Sequence, residues 1–325
     1  MLLAPILALA LAAQGPGALA PAPPAAATSP PAAATSPPAA TPAMLPLTVQ
    51  FDQTSKITGR TYRIYVSKPV APPPKAGYPV LYVLDADMAF PIAAGQVMLG
   101  SLGGRSPALV VGIGYPNTLA TMVLRGRDLT PSKPDAASLA TGGPTAKADD
   151  YGGADDFHRF MIEELRPVIA ATNAVDPANQ ALMGYSLGGL FALHVLFHHP
   201  DAYRTFVAGS PSIWWNGREV LKGEAAFTEA VRAGKARPRL LITSDSWEQA
   251  EDSPDIPASG NGRASALVQM NAARMVDNAR ELAARLKAVK GGPGYEVRYA
   301  LFPEETHQTG IPASTSRGVA FVVHP

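Results

Sequence analysis

A serine flanked by two glycines is the feature of this sequence that most directly indicates chemistry. The segment Gly184-Tyr185-Ser186-Leu187-Gly188 follows a short apolar run and precedes a helical pattern of small and apolar residues. This is the context of a nucleophile elbow, a sharp turn between strand and helix that exposes a serine hydroxyl. Because the turn brings strand and helix close together, we expect both glycines to be needed for their lack of a Cβ atom. Ser186 is the candidate nucleophile.

A histidine must act as the base for such a serine, and a carboxylate must orient that histidine. In an elbow of this kind the acid and then the histidine follow the serine along the chain. Of the six histidines, His307 follows a late strand-like run on a polar loop. His198 and His199 lie near a helix C-terminus, where the helix dipole favours them without any catalytic role. We predict His307 to be the base.

The acid is harder to assign from the sequence. The loop after the apolar run 239–243 contains four carboxylates, Asp245, Glu248, Glu251 and Asp252. Glu248 and Asp245 lie nearest to the end of the predicted strand, from which a side chain can reach the histidine. Glu248 is the favoured acid and Asp245 is the alternative.

The negative charge that develops on the attacked carbonyl oxygen needs two backbone N–H donors. One belongs to the residue after the nucleophile, here Leu187, and the other to the loop after an early strand. The run that ends at Leu84 places Ala86 or Asp87 there. Asp87 could also serve simply to cap the helix that follows.

The elements that must position these residues alternate between strand-like and helical patterns after Leu47, which predicts an α/β fold with a mostly parallel central sheet and helices on both faces. Polar groups just after the strands then meet at one edge of the sheet. The predicted strands are 61–67, 79–85, 108–114, 180–185, 205–209, 238–244 and 295–302, and the clearest predicted helices are 154–172, 187–197 and 264–289.

Composition excludes several classes of function. Lys and Arg total 27 against 26 Asp and Glu, without a basic run, so nucleic acid is not an expected partner. The chain has no cysteine, which excludes disulfides, thiolate nucleophiles and cysteine zinc sites. No H-E-x-x-H pattern occurs, and we predict no metal and no cofactor. A small molecule is the expected partner.

The N-terminal region differs from the rest. Residues 1–20 contain an apolar run too short to span a bilayer and are predicted to be a secretory signal peptide. Residues 21–46 consist mainly of Ala, Pro, Thr and Ser and are predicted to form a disordered linker. Residues 47–325 form the predicted catalytic domain. We therefore expect a periplasmic or secreted protein without stable membrane insertion.

An ordered series of motifs across most of 47–307 resembles the putative-esterase family of α/β-hydrolases, an esterase D-like group, and within it the siderophore trilactone esterases of the enterobactin and bacillibactin type. The matching segments are ITGRTYRI (57–64), YPVLYVLD (78–85), GIGYP (112–116), RGRDLTP (125–131), the elbow, SPSIWW (210–215) and EETH (304–307). The α/β-hydrolase fold is what this resemblance implies.

The resemblance implies a serine esterase that cleaves carboxylic esters, including siderophore-type or other polar esters, through an acyl-enzyme. It favours Glu248, because Ser246-Trp247-Glu248-Gln249 is similar to the family's Gly-Glu-Leu-Glu-Gln string. Asp245 replaces the glycine of that string, and some similar siderophore esterases act through a Ser–His pair without a carboxylate. The alternatives are an acyltransferase, in which an alcohol resolves the acyl-enzyme, and a non-catalytic binding module.

Substrate choice is expected to lie in 117–153, which is predicted to be a long loop rich in Gly, Pro and Asp. A loop of this length in a compact domain is usually a functional rim or lid. Arg125 and Arg127 could each meet an anionic or catecholate group, or could pair with Asp128 in a structural turn.

Aromatic residues supply the remaining candidates for substrate binding. Tyr185 is next to the nucleophile, and Trp214 and Trp215 follow the predicted strand 205–209. The two tryptophans could line an aromatic pocket or pack in the core, and core packing is the favoured interpretation.

Overall fold

One mixed sheet of eight strands forms the centre of the part of the chain that the structure, a computed structural model, describes: residues 45–117, 121–141 and 146–323. The strands are β1 (Thr48–Thr54), β2 (Thr61–Ser67), β3 (Tyr78–Leu84), β4 (Leu109–Gly114), β5 (Val175–Tyr185), β6 (Thr205–Gly209), β7 (Arg239–Asp245) and β8 (Glu296–Phe302). Their order is β1-β2-β4-β3-β5-β6-β7-β8. β1, β2 and β4 pair antiparallel, and all the other neighbours are parallel.

Helices cover both faces of this sheet. They are α1 (Ala86–Leu102), α2 (Thr121–Leu129), α3 (Ala136–Thr141), α4 (Ala154–Arg159), α5 (Arg166–Thr172), α6 (Leu187–His198), α7 (Trp215–Arg218), α8 (Glu224–Arg232), α9 (Gly260–Ala273), α10 (Met275–Lys287) and α11 (Gly310–Val323). A core on one face contains side chains of α1 and α11, and the core on the other contains side chains of α4, α6, α8 and α10. The predicted α/β architecture is confirmed.

The seven predicted strands are present, with β5 starting earlier than expected at Val175. β1 was not predicted, because its sequence TVQFDQT is largely polar and its side chains are mostly exposed or half-buried at the sheet edge. The predicted helix 154–172 is present as α4, a π-helical segment (Phe160–Leu165) and α5. The predicted signal peptide, and the linker up to residue 44, lie outside the described residues.

Two expectations, one about a helix and one about a loop, were wrong. The single helix predicted over 264–289 is divided into α9 and α10 at Arg274, which has left-handed backbone angles (φ 47°, ψ 45°). The apolar spacing continues across this break, so periodicity could not reveal it. The region 117–153 is not one long loop, since it contains α2 and α3.

In 45–117, 121–141 and 146–323, no helix is long and apolar enough to cross a bilayer.

The elbow joins β5 to α6 at Ser186, whose backbone has φ 60° and ψ −117°. A Cβ atom on Gly184 would lie 2.3 Å from the carbonyl oxygen of Gly188, too close for any contact between these atoms. A Cβ atom on Gly188 would instead meet a carboxylate oxygen of Asp85 at 3.4 Å, an ordinary contact. The close approach therefore requires glycine at position 184 and not, as expected from the sequence, at 188.

We expect Gly184→Ala to lower the free energy of unfolding by about 3 kcal/mol, because the new methyl group would push the start of α6 away from β5. Gly188→Ala is the matched control and should change it by less than about 1 kcal/mol. Urea unfolding of both variants measures the difference. If both variants were as stable as the wild type, the elbow would tolerate a side chain at both positions.

Candidate active site

The carboxyl ends of β5, β6, β7 and β8 bring the candidate residues to one edge of the sheet. The register pairs Tyr185 with Gly209 and Gly209 with Thr243, so the residues that follow these strands are neighbours. His307 follows β8, which pairs with β7 up to the end of both strands. Parallel strands place their functional groups at this edge, where open α/β sheets bind ligands.

Ser186 is held by the backbone of the next strand. Its N–H donates to the carbonyl oxygen of Gly209 at 2.9 Å, and its own carbonyl oxygen accepts from the N–H of Ser212 at 3.1 Å. The hydroxyl oxygens of Ser186 and Ser212 are 3.4 Å apart. The left-handed φ angle and these bonds direct the Ser186 hydroxyl into a cavity that His307 also lines.

His307 and Glu248 are in direct contact, with Nδ1 of the histidine 2.5 Å from Oε1 of the glutamate. The Glu248 side chain is 2% exposed. Its carboxylate also accepts from the Ser210 hydroxyl at 2.5 Å and from the N–H of Asp245 at 3.0 Å. A proton on Nδ1 of His307 is thereby held by Glu248, which leaves Nε2 free to accept a proton. The structure brings Glu248, rather than Asp245, to the histidine.

Asp245 lies behind this pair and is fully buried. It accepts a hydrogen bond from the Tyr185 hydroxyl at 2.5 Å, and the Tyr185 ring lies 5.0 Å from the His307 ring, centre to centre. Burial raises the pKa of Asp245 to about 7; the Tyr185 hydrogen bond opposes this rise and the neighbouring Glu248 charge adds to it. Tyr185, predicted to bind substrate, instead packs between Asp245 and His307 and is not among the described residues that line the cavity.

The cavity has a volume of about 860 Å³ and extends from the elbow to α9. Its lining combines hydroxyl, aromatic, carboxylate and aliphatic groups. The residues are Asp135, Ser138, Ser186, Ser212, Trp214, Gly217, Trp247, Glu248, Ser253, Asp255, Ile256, Val268, Gln269, Met270, Ala272, Ala273, Met275 and His307. Trp214 therefore faces the cavity, whereas Trp215 is 2% exposed and packs on Tyr151 in the core.

Two helix N-termini meet beside Ser186. Leu187 is the first residue of α6, and Ala86 and Asp87 are the first two of α1. The opening N–H groups of a helix have no acceptor within the helix. α1 and α6 follow the neighbouring parallel strands β3 and β5, and Gly188 lies against Asp85. The predicted oxyanion donors therefore lie at the starts of two helices that follow neighbouring strands.

The two arginines proposed for substrate binding have other partners. Nε and Nη2 of Arg125 each donate to the Asp85 carboxylate at 2.8 Å, and both side chains are buried. Arg127 donates to the backbone carbonyl of Asp149 at 2.9 Å. Neither is among the described residues that line the cavity. Burial and pairing therefore count against the predicted contact of Arg125 with an anionic substrate.

The expected pairing of either arginine with Asp128 is also wrong. Asp128 is fully buried and binds Arg60 at 2.5 Å and the Tyr115 hydroxyl at 3.1 Å. Arg60 lies far away along the chain, and only the packing of β2 beside β4 brings the two together. Sequence proximity was a poor guide to this ion pair.

Ser210 and Ser212 were not predicted as site residues, although both lie in the SPSIWW segment. Ser210 contacts Glu248 only because β6 and β7 are neighbours, and Ser212 contacts Ser186 only because β5 and β6 are. The position of both serines just after a strand was the available signal.

The fold and site can now be compared with known proteins. A family model described as "Putative esterase" matches residues 55–301. The chain belongs to this esterase family. It is 36% identical over 277 residues to "Ferri-bacillibactin esterase BesA" of Bacillus subtilis (strain 168), covering 84% of this chain and 88% of that protein.

Two further relatives of this esterase support the assignment. It is 32% identical over 299 residues to "Siderophore triacetylfusarinine C esterase" of Aspergillus fumigatus, covering 86% of this chain and 94% of that protein. A crystal structure of BES protein from Bacillus cereus superposes with a TM-score of 0.73 at 31% identity, covering 88% of this chain and all of that one. The chain is a serine hydrolase of carboxylic esters on an α/β-hydrolase fold.

The raised pKa of Asp245 predicts a pH-dependent stability. Since the folded esterase holds this proton between pH 3.8 and about 7 and the unfolded chain does not, the free energy of unfolding falls as the pH rises through that range. We expect Asp245→Asn to be more stable than the wild type by roughly 1–3 kcal/mol at pH 8, with the gain vanishing towards pH 4. Urea unfolding at several pH values measures this, with exposed Asp201→Asn as control; a gain independent of pH would contradict it.

The buried ion pair predicts a structural role for Arg125. Arg125→Met should lower the free energy of unfolding by about 3–5 kcal/mol, because it leaves the Asp85 carboxylate buried and unpaired. Arg127→Met, which removes one bond to a backbone carbonyl, is the control and should cost much less. Urea unfolding and ester kinetics together distinguish a structural role of Arg125 from a contact with substrate. If Arg125→Met raised KM at unchanged stability, Arg125 would contact substrate after all.

Proposed function

We propose that this esterase hydrolyses the ester bonds of a siderophore, with Ser186 as nucleophile, His307 as base and Glu248 as the acid that orients it. The observation that carries the proposal is the 2.5 Å contact between Glu248 and His307 in the lining of a cavity that Ser186 also lines. The siderophore class of substrate comes from the names of the relatives, which are siderophore esterases.

The geometry supports the following sequence of steps. Nε2 of His307 accepts the Ser186 proton while Oγ attacks the ester carbonyl carbon, and the carbonyl oxygen becomes negatively charged. The N–H of Leu187 and that of Ala86 or Asp87 stabilise this oxygen. The His307 proton then passes to the alcohol oxygen as the ester bond breaks. Water, deprotonated by the same histidine, attacks the acyl-enzyme and releases the acid.

Three hydrogen bonds favour Glu248 over Asp245 as the acid. The Ser210 hydroxyl, the Asp245 N–H and His307 all bond to the Glu248 carboxylate, so its position and charge are fixed. The Asp245 carboxylate bonds to the Tyr185 hydroxyl instead, and the ring of Tyr185 packs on His307. We therefore assign Asp245 a positioning role.

A large substrate suits the volume of the site. At about 860 Å³ the cavity lies within the upper range of small-molecule sites. Trp214 and Trp247 offer aromatic surface near the catalytic serine, and α9 supplies an aliphatic wall. These features support a bulky polar ester, such as a macrocyclic lactone, as the substrate.

We also propose that the mature protein acts in the periplasm or outside the cell. Support comes from residues 1–20 of the sequence, which have the apolar run of a secretory signal peptide, and from the Ala- and Pro-rich residues 21–46 that would tether the catalytic domain. Sequencing the N-terminus of the protein recovered from its native cells would test this proposal.

Active-site variants test the proposed mechanism. Against a trilactone siderophore, Ser186→Ala and His307→Ala should each lower kcat by roughly 10⁴- to 10⁶-fold, and Glu248→Gln by roughly 10³- to 10⁴-fold. Asp245→Asn should retain most of the turnover, because it keeps an acceptor for the Tyr185 hydroxyl. Mass spectrometry of the released acid measures the reaction. A larger loss for Asp245→Asn than for Glu248→Gln would reverse the assignment of the acid.

Labelling with a fluorophosphonate, followed by peptide mapping, provides an independent measure of the nucleophile. The wild type should carry the label on Ser186, and His307→Ala should be labelled far more slowly because its serine lacks a base. A label on another serine would contradict the proposal. Unchanged turnover of Ser186→Ala would do the same.

A further inference from the structure

The described walls of the catalytic cavity contain carboxylates but no lysine or arginine. Asp135 and Asp255 line it and are exposed, and Glu248 lines it beside His307. None of the described lining residues is Lys or Arg. The undescribed stretches 1–44, 118–120, 142–145 and 324–325 contain neither residue type, so they supply no Lys or Arg side chain.

The loops after β7 and β8 add four carboxylates at this edge of the sheet. Glu251 and Asp252 are exposed on the loop that follows β7. Glu304 and Glu305 follow β8, and this loop is tied to the first by the N–H of Trp247, which donates to the Glu305 carbonyl oxygen at 3.0 Å. The two strands that carry the catalytic acid and base therefore also carry a group of acidic side chains at the same edge.

Three arginines of the neighbouring segments have other partners. Arg274, at the junction of α9 and α10, pairs with Glu281 at 2.6 Å and with Asp277 at 3.3 Å. Arg263 donates to the backbone carbonyls of Pro257 and Glu251. Arg125, in the RGRDLTP segment, forms a buried ion pair with Asp85.

The rest of the cavity lining includes aromatic and aliphatic side chains. Trp214 and Trp247 present aromatic surface, which attracts cations as well as apolar groups. Val268, Met270 and Met275 form an aliphatic wall. A negatively charged group placed here would lose hydration and approach carboxylates, and the described lining offers no lysine or arginine to pair with it.

We infer that the cavity selects esters whose non-reacting groups are cationic or neutral and rejects anionic ones. This inference rests on the proposed function, since it assumes that the substrate occupies this cavity with its ester at Ser186. Among siderophores it favours the hydroxamate class, whose trihydroxamate ferric complex is uncharged. It disfavours the catecholate class, whose ferric tris-catecholate complex carries three negative charges.

Three p-nitrophenyl esters of equal shape test the inference. The acyl groups are 4-(trimethylammonio)butanoyl, 5,5-dimethylhexanoyl and 4-sulfobutanoyl, which carry a cation, no charge and an anion on a tetrahedral end. We expect kcat/KM to fall in that order, with roughly a tenfold or greater difference between the first and last at low salt. In 0.5 M NaCl the difference should narrow, because salt screens exposed carboxylates.

A charge-matched pair of double variants assigns the effect to the cavity. Asp135→Asn with Asp255→Asn should bring the three kcat/KM values together, while both Asn side chains keep the shape of the lining. Asp176→Asn with Asp201→Asn removes the same charge at the amino edge of the sheet and should preserve the order. An equal effect of both pairs would overturn the inference, because selection would then follow net charge.

The outcomes separate this inference from the proposed function. If the wild type cleaved the sulfonate ester as fast as the trimethylammonium ester, and Ser186→Ala cleaved neither, the inference would fail while the esterase mechanism stood. If Ser186→Ala cleaved all three at the wild-type rate, the proposed mechanism would fail and the inference with it. Comparing ferric trihydroxamate and tris-catecholate triesters extends the test: faster cleavage of the catecholate would overturn the inference.

Discussion

The position of the Glu248 carboxylate determines how the ends of three strands meet. It accepts hydrogen bonds from Ser210 after β6, from the backbone of Asp245 at the end of β7, and from His307 after β8. A buried carboxylate is costly unless such donors compensate for its lost hydration. The same bonds that make the charge tolerable also hold the histidine ring, so folding and preorganisation of the site depend on one group. Ser186 is fixed separately, by the steric requirement at Gly184 and by backbone bonds to the next strand.

The sequence predicted what depends on local pattern. Ser186, His307 and Glu248 could be singled out because each follows a recognisable strand. β4, β6 and β7 could be recognised because every residue in them is buried. Its place after the strand favoured Glu248 over Asp245, and the motifs of the esterase family strengthened that preference. β1 escaped prediction because an exposed edge strand has no apolar run, and the break at Arg274 escaped because helical spacing continues through it.

Contacts between distant segments could not be predicted in the same way. The pairing of Arg125 with Asp85, of Arg60 with Asp128, and of Ser210 with Glu248 all depend on which strands become neighbours. Arg125 illustrates the difficulty, because the sequence shows a cation in the segment RGRDLTP (125–131) but not the carboxylate beside it. Its bidentate pair supports the turn after β3 from which the predicted oxyanion donors project. A residue expected to recognise substrate thus lies behind the catalytic groups.

The helix α9 contributes a wall of the cavity but has no buried residue of its own, and the left-handed residue Arg274 separates it from α10, which packs in the core. Substitutions at the cavity-facing positions of α9 therefore disturb few interactions on which folding depends. Catalytic groups and the recognition surface are carried by parts of the molecule under different constraints. Divergence among related esterases could proceed by replacing this one helix, so that new ester specificities arise while the strand ends that perform the chemistry stay unchanged.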